Sequence, residues 1–227
     1  MIGPEHRRRM MGRLFAHWRD FLLARLYREL AWSYDLVSWL VSLGRWDHWR
    51  RVALRYLGPG RVLEVGCGTG HLLLAMAREG RPLWGCDLSS PMLRQARRRM
   101  RRAGREVSLC QARVQALPFA EAAFGAVVCT FPSGYIAEGQ TWAEFERVLL
   151  PGGRIVVVYG ISAGGRSLRQ WLLRALLALG RTRGYALRPA WAGRGRLRVR
   201  RLIVPEGDDR VALLLGEKAT NAGPFAT

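Results

Sequence analysis

The segment Val62-Leu63-Glu64-Val65-Gly66-Cys67-Gly68-Thr69-Gly70 is a short apolar run that breaks into three glycines at alternate positions. Glycine lets a backbone turn sharply and approach a ligand that a Cβ would repel, and the helix that follows offers free N–H groups in its first turn. Such a loop binds a nucleotide-like cofactor at the carboxyl edge of a parallel sheet. Two details narrow the cofactor. A dinucleotide fingerprint requires glycine three residues after its second one, and that position is His71. Glu64 stands two residues before the first glycine, where a carboxylate is a poor neighbour for a pyrophosphate but suits the cationic amino group of a methionine moiety. Asp87, at the end of the next β-rich stretch, is placed to accept hydrogen bonds from two ribose hydroxyls.

These groups need a scaffold, and the pattern around them supplies one. Strands are expected at 61–65, 82–86, 107–110, 126–131 and 154–159. The helical spacers between them run over 71–80, 90–103 with Pro91 in its first turn, and 141–149. Strands separated by helices mean right-handed crossovers and a parallel sheet. A closing antiparallel pair at 196–204 and 210–215, around Glu206-Gly207-Asp208, brings the count to seven strands. The fold class is therefore α/β, Rossmann-like and doubly wound, a mostly parallel seven-stranded sheet with an antiparallel C-terminal hairpin and N-terminal helices. One domain is expected, with residues 1–56 as amphipathic leading helices packed on a core of 57–227. Residues 11–32 set Met11, Leu14, Phe15, Trp18, Phe21, Leu22 and Leu26 against a face of Arg13, His17, Asp20 and Arg28. A second helix is expected from Tyr34 to Tyr56, stopped by Gly58-Pro59-Gly60, and a leucine-rich helix over 168–179.

Composition narrows the class further. With 49% hydrophobic and 24% charged residues in 227, the chain carries neither a disordered nor a fibrous signature. The formal net charge is +20, and Lys218 is the sole lysine among 37 basic residues. Such an arginine excess reflects either the composition of the host genome or a polyanionic partner, an anionic membrane surface or nucleic acid. Cys67, Cys86, Cys110 and Cys129 lack the short paired spacings of zinc or dithiol sites, so no metal is expected. Each falls near the end of an expected strand, as a small residue packed in a reduced core. No apolar run is long enough to span a bilayer, and Arg13, Arg19 and Asp20 interrupt any signal-peptide core, so the chain is expected in the cytoplasm.

The segments LEVGCGTG, GCDLS, ALPF and FERVLLPGGRIVVV, in that order and at these spacings, closely resemble the class I S-adenosylmethionine (SAM)-dependent methyltransferases over about residues 60 to 160. Upstream, YDLVSWLVSLGRWDHWRR resembles the leading helix of the quinone-biosynthesis and phospholipid methyltransferases. The resemblance implies SAM as cofactor, held by Tyr34, Glu64, Gly66, Cys67, Gly68, Gly70, Asp87, Leu88, Arg113, Val114 and Phe131. In that set Glu64 acts through the amino end of SAM, Asp87 holds the ribose and Tyr34 lies over the cofactor. Two positions depart from the pattern. Many relatives carry a carboxylate six residues before the ALPF phenylalanine to bind the adenine amino group, whereas this chain has Arg113, which cannot accept a hydrogen bond. Gly125 replaces an aspartate that commonly follows Phe124.

The methyl acceptor is expected over the loop Thr130-Phe131-Pro132-Ser133-Gly134-Tyr135, which lacks the Asp/Asn-Pro-Pro-aromatic motif of amino-methylating DNA enzymes. Methyl transfer from a sulfonium needs positioning more than a dedicated base. Tyr135 and His48 are the candidates to orient or deprotonate an acceptor. The leading expectation is a methyltransferase of small-molecule or lipid-like acceptors, drawn to the inner face of an anionic membrane by its basic helices. An RNA methyltransferase and a catalytically silent methyltransferase-like scaffold are the alternatives.

Overall fold

The computed structural model describes residues 31–165, 170–171 and 196–220. The amphipathic helix expected over 11–32 lies almost wholly outside them, as does most of the leucine-rich stretch at 168–179. The described chain forms helices α1 (Ala31–Ser42) and α2 (Trp46–Arg51), the latter running into a 3-10 turn (Val52–Tyr56). Strand β1 (Val62–Val65), helix α3 (His71–Arg78), β2 (Leu83–Asp87), helix α4 (Ser90–Arg102) and β3 (Ser108–Gln111) follow. Beyond them lie β4 (Phe124–Thr130), a 3-10 turn (Gly134–Ala137), α5 (Gly139–Val148), β5 (Leu149–Ser162), β6 (Leu197–Glu206) and β7 (Asp209–Lys218).

The sheet has seven strands in the order β3-β2-β1-β4-β5-β7-β6. β1 pairs in parallel with β2 on one side and β4 on the other, and β7 alone is reversed, antiparallel to both of its neighbours, β5 and β6. The chain winds outward from β1 to β3, then returns to β4, so β1 and β4 flank the switch point where such sheets bind ligands. The parallel strands are apolar and buried throughout. Leu63, Val127, Ile155 and Val157 face Trp142 and Phe145 of α5, while Val62, Val128, Val156 and Leu213 face α2, α3 and α4 through Trp49, Leu72, Met76 and Met100. Strand alternation thus builds two cores on the two faces of one sheet.

The single helix expected over Tyr34 to Tyr56 is two helices. Leu43 and Gly44 both take left-handed φ, 51° and 80°. The Gly44 N–H donates back to the Trp39 carbonyl at 2.9 Å, which closes α1. The Ser42 hydroxyl then accepts the Trp46 N–H at 3.1 Å, starting α2 in a new direction. Two contacts pin α2 to the hairpin: the Trp49 indole N–H donates to Asp209 Oδ2 at 2.9 Å, and Arg45 pairs with the same oxygen at 3.1 Å. The expected strand end at Phe131 also shifts. β4 stops at Thr130, because Phe131 turns left-handed (φ 52°) and lays its ring against Trp46, centroids 4.4 Å apart.

Gly125 has a physical reason. A Cβ there would lie 2.4 Å from the Pro59 carbonyl oxygen, because the Gly58-Pro59-Gly60 turn crosses directly over the start of β4. The Gly125 N–H donates to the Arg61 carbonyl at 2.9 Å and fixes that crossing. Gly125→Asp should therefore cost about 2–4 kcal/mol, a fall of roughly 5–15 °C in Tm, measured by calorimetric or fluorescence melting. An unchanged Tm would mean that the turn moves aside freely.

Candidate cofactor and active site

β1 carries Glu64 into the middle of the sheet, where it is 2% exposed. The Leu73 backbone hydrogen-bonds to its carboxyl group, yet Oε2 has no hydrogen-bond partner. Burial pushes its pKa up to about 8, against the opposing pull of the Arg50 charge, and the Asp87 charge adds to the rise. An acid held protonated near neutrality, with an orphaned buried oxygen, is a receptor for a cation.

The three glycines of the following loop have left-handed φ of 67°, 52° and 79°, and each has a different spatial reason. A Cβ at Gly70 would press 2.9 Å from the Ala96 Cβ of α4, so Gly70 lets α3 and α4 approach. At Gly66 it would meet the Tyr135 hydroxyl at 2.7 Å. At Gly68 it would meet nothing within 4 Å, so Gly68 faces open space beside Glu64's strand. Asp87, at the end of β2, closes this space. Its Oδ2 accepts the Gly68 N–H and its Oδ1 the Ser89 N–H, both at 2.8 Å. Burial raises its pKa, opposed by these backbone donors. The Leu88 backbone N–H also hydrogen-bonds to this carboxylate.

The structure gathers Glu64, Gly66, Cys67, Gly68, Gly70 and Asp87 at the carboxyl ends of β1 and β2. Leu88 stands exposed beside them, and Val114 is buried next to Arg113. Arg113 itself is exposed at the surface, with its carbonyl accepting the Ala116 N–H. Phe131 is engaged with Trp46 rather than with the loop. Tyr34 lies in α1, with its side chain outside the described residues. Tyr135 reaches the glycine loop, and its hydroxyl lies 3.0 Å from Cys129 Sγ. His48 is exposed and lines a separate shallow cleft with Arg51, Leu54, Arg55 and Glu206. All four cysteines are free, and burial raises each thiol above its ordinary value, so they are weak nucleophiles. Among the described residues, no group of three or more His, Cys, Asp or Glu side chains could hold a metal ion.

A second set of residues was not singled out by its sequence pattern. Asp35 of α1 accepts the Thr69 hydroxyl at 2.7 Å and pairs with His71 Nε2 at 3.1 Å. It also pairs with Arg99 of α4 at 2.5 Å, and Arg99 in turn donates to the Thr69 carbonyl. His71 Nδ1 lies 3.5 Å from Asp47 of α2. The glycine loop is thereby tied to α1, α2 and α4 at once. Hydrogen bonds outweigh desolvation at Asp35 and hold its carboxyl well below the usual range, and the His71 contact brings Asp47 down to about 2. Burial alone would lower His71, but its two carboxylate partners raise it.

A parallel sheet of this order, with a glycine loop after β1 and an acid after β2, places the chain among proteins of the methyltransferase type. A geranyl diphosphate C-methyltransferase from Streptomyces coelicolor A3(2), solved with Mg2+, geranyl diphosphate and S-adenosyl-L-homocysteine, superposes with a TM-score of 0.55. That match covers 75% of this chain and 78% of the other at 18% identity, so the likeness is one of fold. A family described as a methyltransferase domain matches residues 62–153. A demethylmenaquinone methyltransferase of Parafrankia sp. is 33% identical over 183 residues, 70% of this chain and 72% of that protein. Another, from Thermus thermophilus, is 38% identical over 139 residues, 59% of this chain and 63% of that protein. The chain belongs to the class I SAM-dependent methyltransferases, in the group that holds the quinone-biosynthesis enzymes. It spans about six tenths of the length of the first of these curated relatives.

The pH dependence of stability follows from the tie. His71 has a raised folded-state pKa, so its contribution is complete below the ordinary 6.5 and is lost as pH rises through the folded value. Glu64, raised from 4.5 to about 8, adds to the same decline. Asp35 and Asp47 are depressed, so their share is present above the ordinary 3.8 and lost only as pH falls below it. The Tm of the unliganded protein should fall from about pH 4.5, where Glu64 begins to lose its contribution, to about pH 8, and His71→Gln should flatten the part of that fall above about pH 6.5. A His71→Gln protein with the unaltered slope would remove the histidine from the account.

Proposed function

We propose that the chain transfers a methyl group from SAM to a small, lipid-like acceptor, working at the surface of an anionic membrane with its leading helices as part of the same domain. The observation that carries the cofactor assignment is the orphaned Oε2 of Glu64 in β1, the strand that leads into the glycine loop where Gly68 faces open space. The residues present fit SAM. The Glu64 carboxylate would receive the ammonium of the methionine end. The Asp87 carboxylate would accept from the ribose hydroxyls. The exposed Leu88 and the buried Val114 would border the adenine, with the Val114 backbone in place of the carboxylate that relatives carry at position 113. Bound there, SAM supplies a methyl group on a positively charged sulfur, open to in-line displacement by a nucleophile.

What remains for the protein is placement and exclusion of water. Tyr135 is the group suited to orient an acceptor, since its hydroxyl stands over Gly66 and is held by Cys129. Among the described residues, His48 lines another cleft and burial raises the thiols, so neither serves as a strong base or nucleophile beside it. That suits an acceptor which is already nucleophilic, such as an electron-rich hydroxylated ring. The names of the curated relatives support an acceptor of the demethylated-quinone kind.

The net charge of +20 and the exposed Leu36, Trp39 and Leu40 along α1 support the membrane surface as the workplace. No helix among the described residues is long and apolar enough to cross a membrane.

Calorimetric titration with SAM and with S-adenosylhomocysteine tests the cofactor reading. Wild-type protein should bind both at micromolar levels, and Asp87→Ala should weaken both about tenfold to hundredfold, for two lost charge-assisted hydrogen bonds. Incubation with methyl-labelled SAM and a short-tailed demethylmenaquinone in phosphatidylglycerol vesicles should yield labelled quinone. Folded wild-type protein that binds neither ligand would refute the cofactor reading. SAM binding without labelled quinone would refute the acceptor.

A further inference from the structure

At the edge of the sheet opposite the glycine loop, the end of α3, the start of β2, α4 and the turn into β3 enclose a cleft of about 1040 Å³. Six arginines line it: Arg81, Arg94, Arg97, Arg98, Arg101 and Arg105. Glu106 is the only acidic residue in the lining. Four of the six, Arg94, Arg97, Arg98 and Arg101, recur at the spacing of one helical face of α4, a stripe of about 10 Å, and Arg105 follows past the left-handed Gly104.

Arg81 is partnered by Glu79 and by the Gly58 carbonyl, and Arg94 donates to the Ser90 hydroxyl. Among the described residues, no ion pair neutralises Arg97, Arg98, Arg101 or Arg105. Like charges three and four residues apart on a helix destabilise it. Those nearest the C-terminus of α4 are partly offset by the helix dipole, which does not reach Arg94, Arg97 or Arg98. The floor of the cleft is apolar, from Ala77, Leu83 and Met100, and low polarity beneath a charge strengthens its attraction for a counter-ion.

We propose that this cleft is a second binding site, for an anion that carries several phosphate groups. A guanidinium fork matches two oxygens of one phosphate, and a row of four such forks needs more than one phosphate to satisfy it. The cofactor does not belong here: SAM carries positive charge, and its site lies at the other ends of the same strands. A nucleic-acid strand fits less well, because bases need exposed rings on which to stack. Trp84, the only aromatic residue of the lining, is half-buried, with its ring edge-on to Phe124 and the Arg61 guanidinium over it. The phosphates have two sources, a soluble oligophosphate or the headgroups of anionic phospholipid, and the chemistry of recognition is the same.

The test uses the full chain with Arg97→Gln, Arg98→Gln and Arg101→Gln combined. A charge-matched control combines Arg154→Gln, Arg196→Gln and Arg200→Gln, all exposed elsewhere. Melting curves check that both variants fold. Sodium tripolyphosphate should bind wild type and control at one per chain, and bind the cleft variant roughly tenfold or more weakly. That outcome points to a soluble phosphate. Loss of sedimentation with phosphatidylglycerol vesicles in the cleft variant alone, without tripolyphosphate binding, points to headgroups, and it too bears the site out. Equal losses in both triple variants would reduce the effect to net charge and overturn the site. So would binding of neither probe, or capture of single-stranded RNA that depends on the cleft while tripolyphosphate neither binds nor competes.

Discussion

A buried carboxyl group with one oxygen unsatisfied is the constraint around which this molecule is arranged. Glu64 sits in β1, the strand flanked on both sides by parallel neighbours and least reached by water. Leaving a buried polar atom unpaired costs about 1–3 kcal/mol. The fold carries that cost at its switch point, where the glycine loop opens space for a ligand. Protonation relieves the charge but not the missing hydrogen bond, and a cationic ligand would relieve both. The left-handed glycines, the hydrogen bonds from the loop to Asp87 and the close approach of α3 to α4 all maintain the open side of the loop that follows Glu64's strand.

The loop does not hold this shape by itself. Asp35, His71, Asp47 and Arg99 clamp it from three helices, so the leading segment is a wall of the site. The same clamp orients α1, with Asp35 turned inward and Leu36, Trp39 and Leu40 outward. Trp49 and Arg45 anchor the other end of this wall on Asp209 of β7, so the C-terminal hairpin supports it as well.

Much of this was legible from residue patterns, for local reasons. The parallel strands are continuous apolar runs, the loop is spelled by alternating glycines, and Pro91 with Gly104 brackets α4. The break at Leu43-Gly44 was not legible, because the apolar periodicity of 34–56 runs straight through it and the new direction depends on Trp46 meeting Phe131. Phe131 reads as the end of a strand, yet its left-handed φ and its ring contact with Trp46 place it just past the end of β4. His71 served only to exclude a dinucleotide, since nothing local links it to Asp35, far upstream on another helix. Gly125 looks like a missing aspartate until the Pro59 carbonyl is seen beneath it. Arg113 is legible as a departure, but its exposure beside the buried Val114 is a tertiary fact. The arginines of α4 read as part of a general charge excess, while the cleft they line requires the start of β2 and the turn into β3.

The most direct measurement is the proton count of cofactor binding. Calorimetry with S-adenosylhomocysteine at pH 7, in two buffers of different ionisation enthalpy, reads the protons exchanged per ligand bound. Glu64, with its pKa near 8, is mostly protonated at that pH, and the ammonium of the ligand should drive the proton off. The account predicts release of about one proton by wild-type protein and none by Glu64→Gln. Tight binding with no proton exchanged, or the same release from Glu64→Gln, would contradict it.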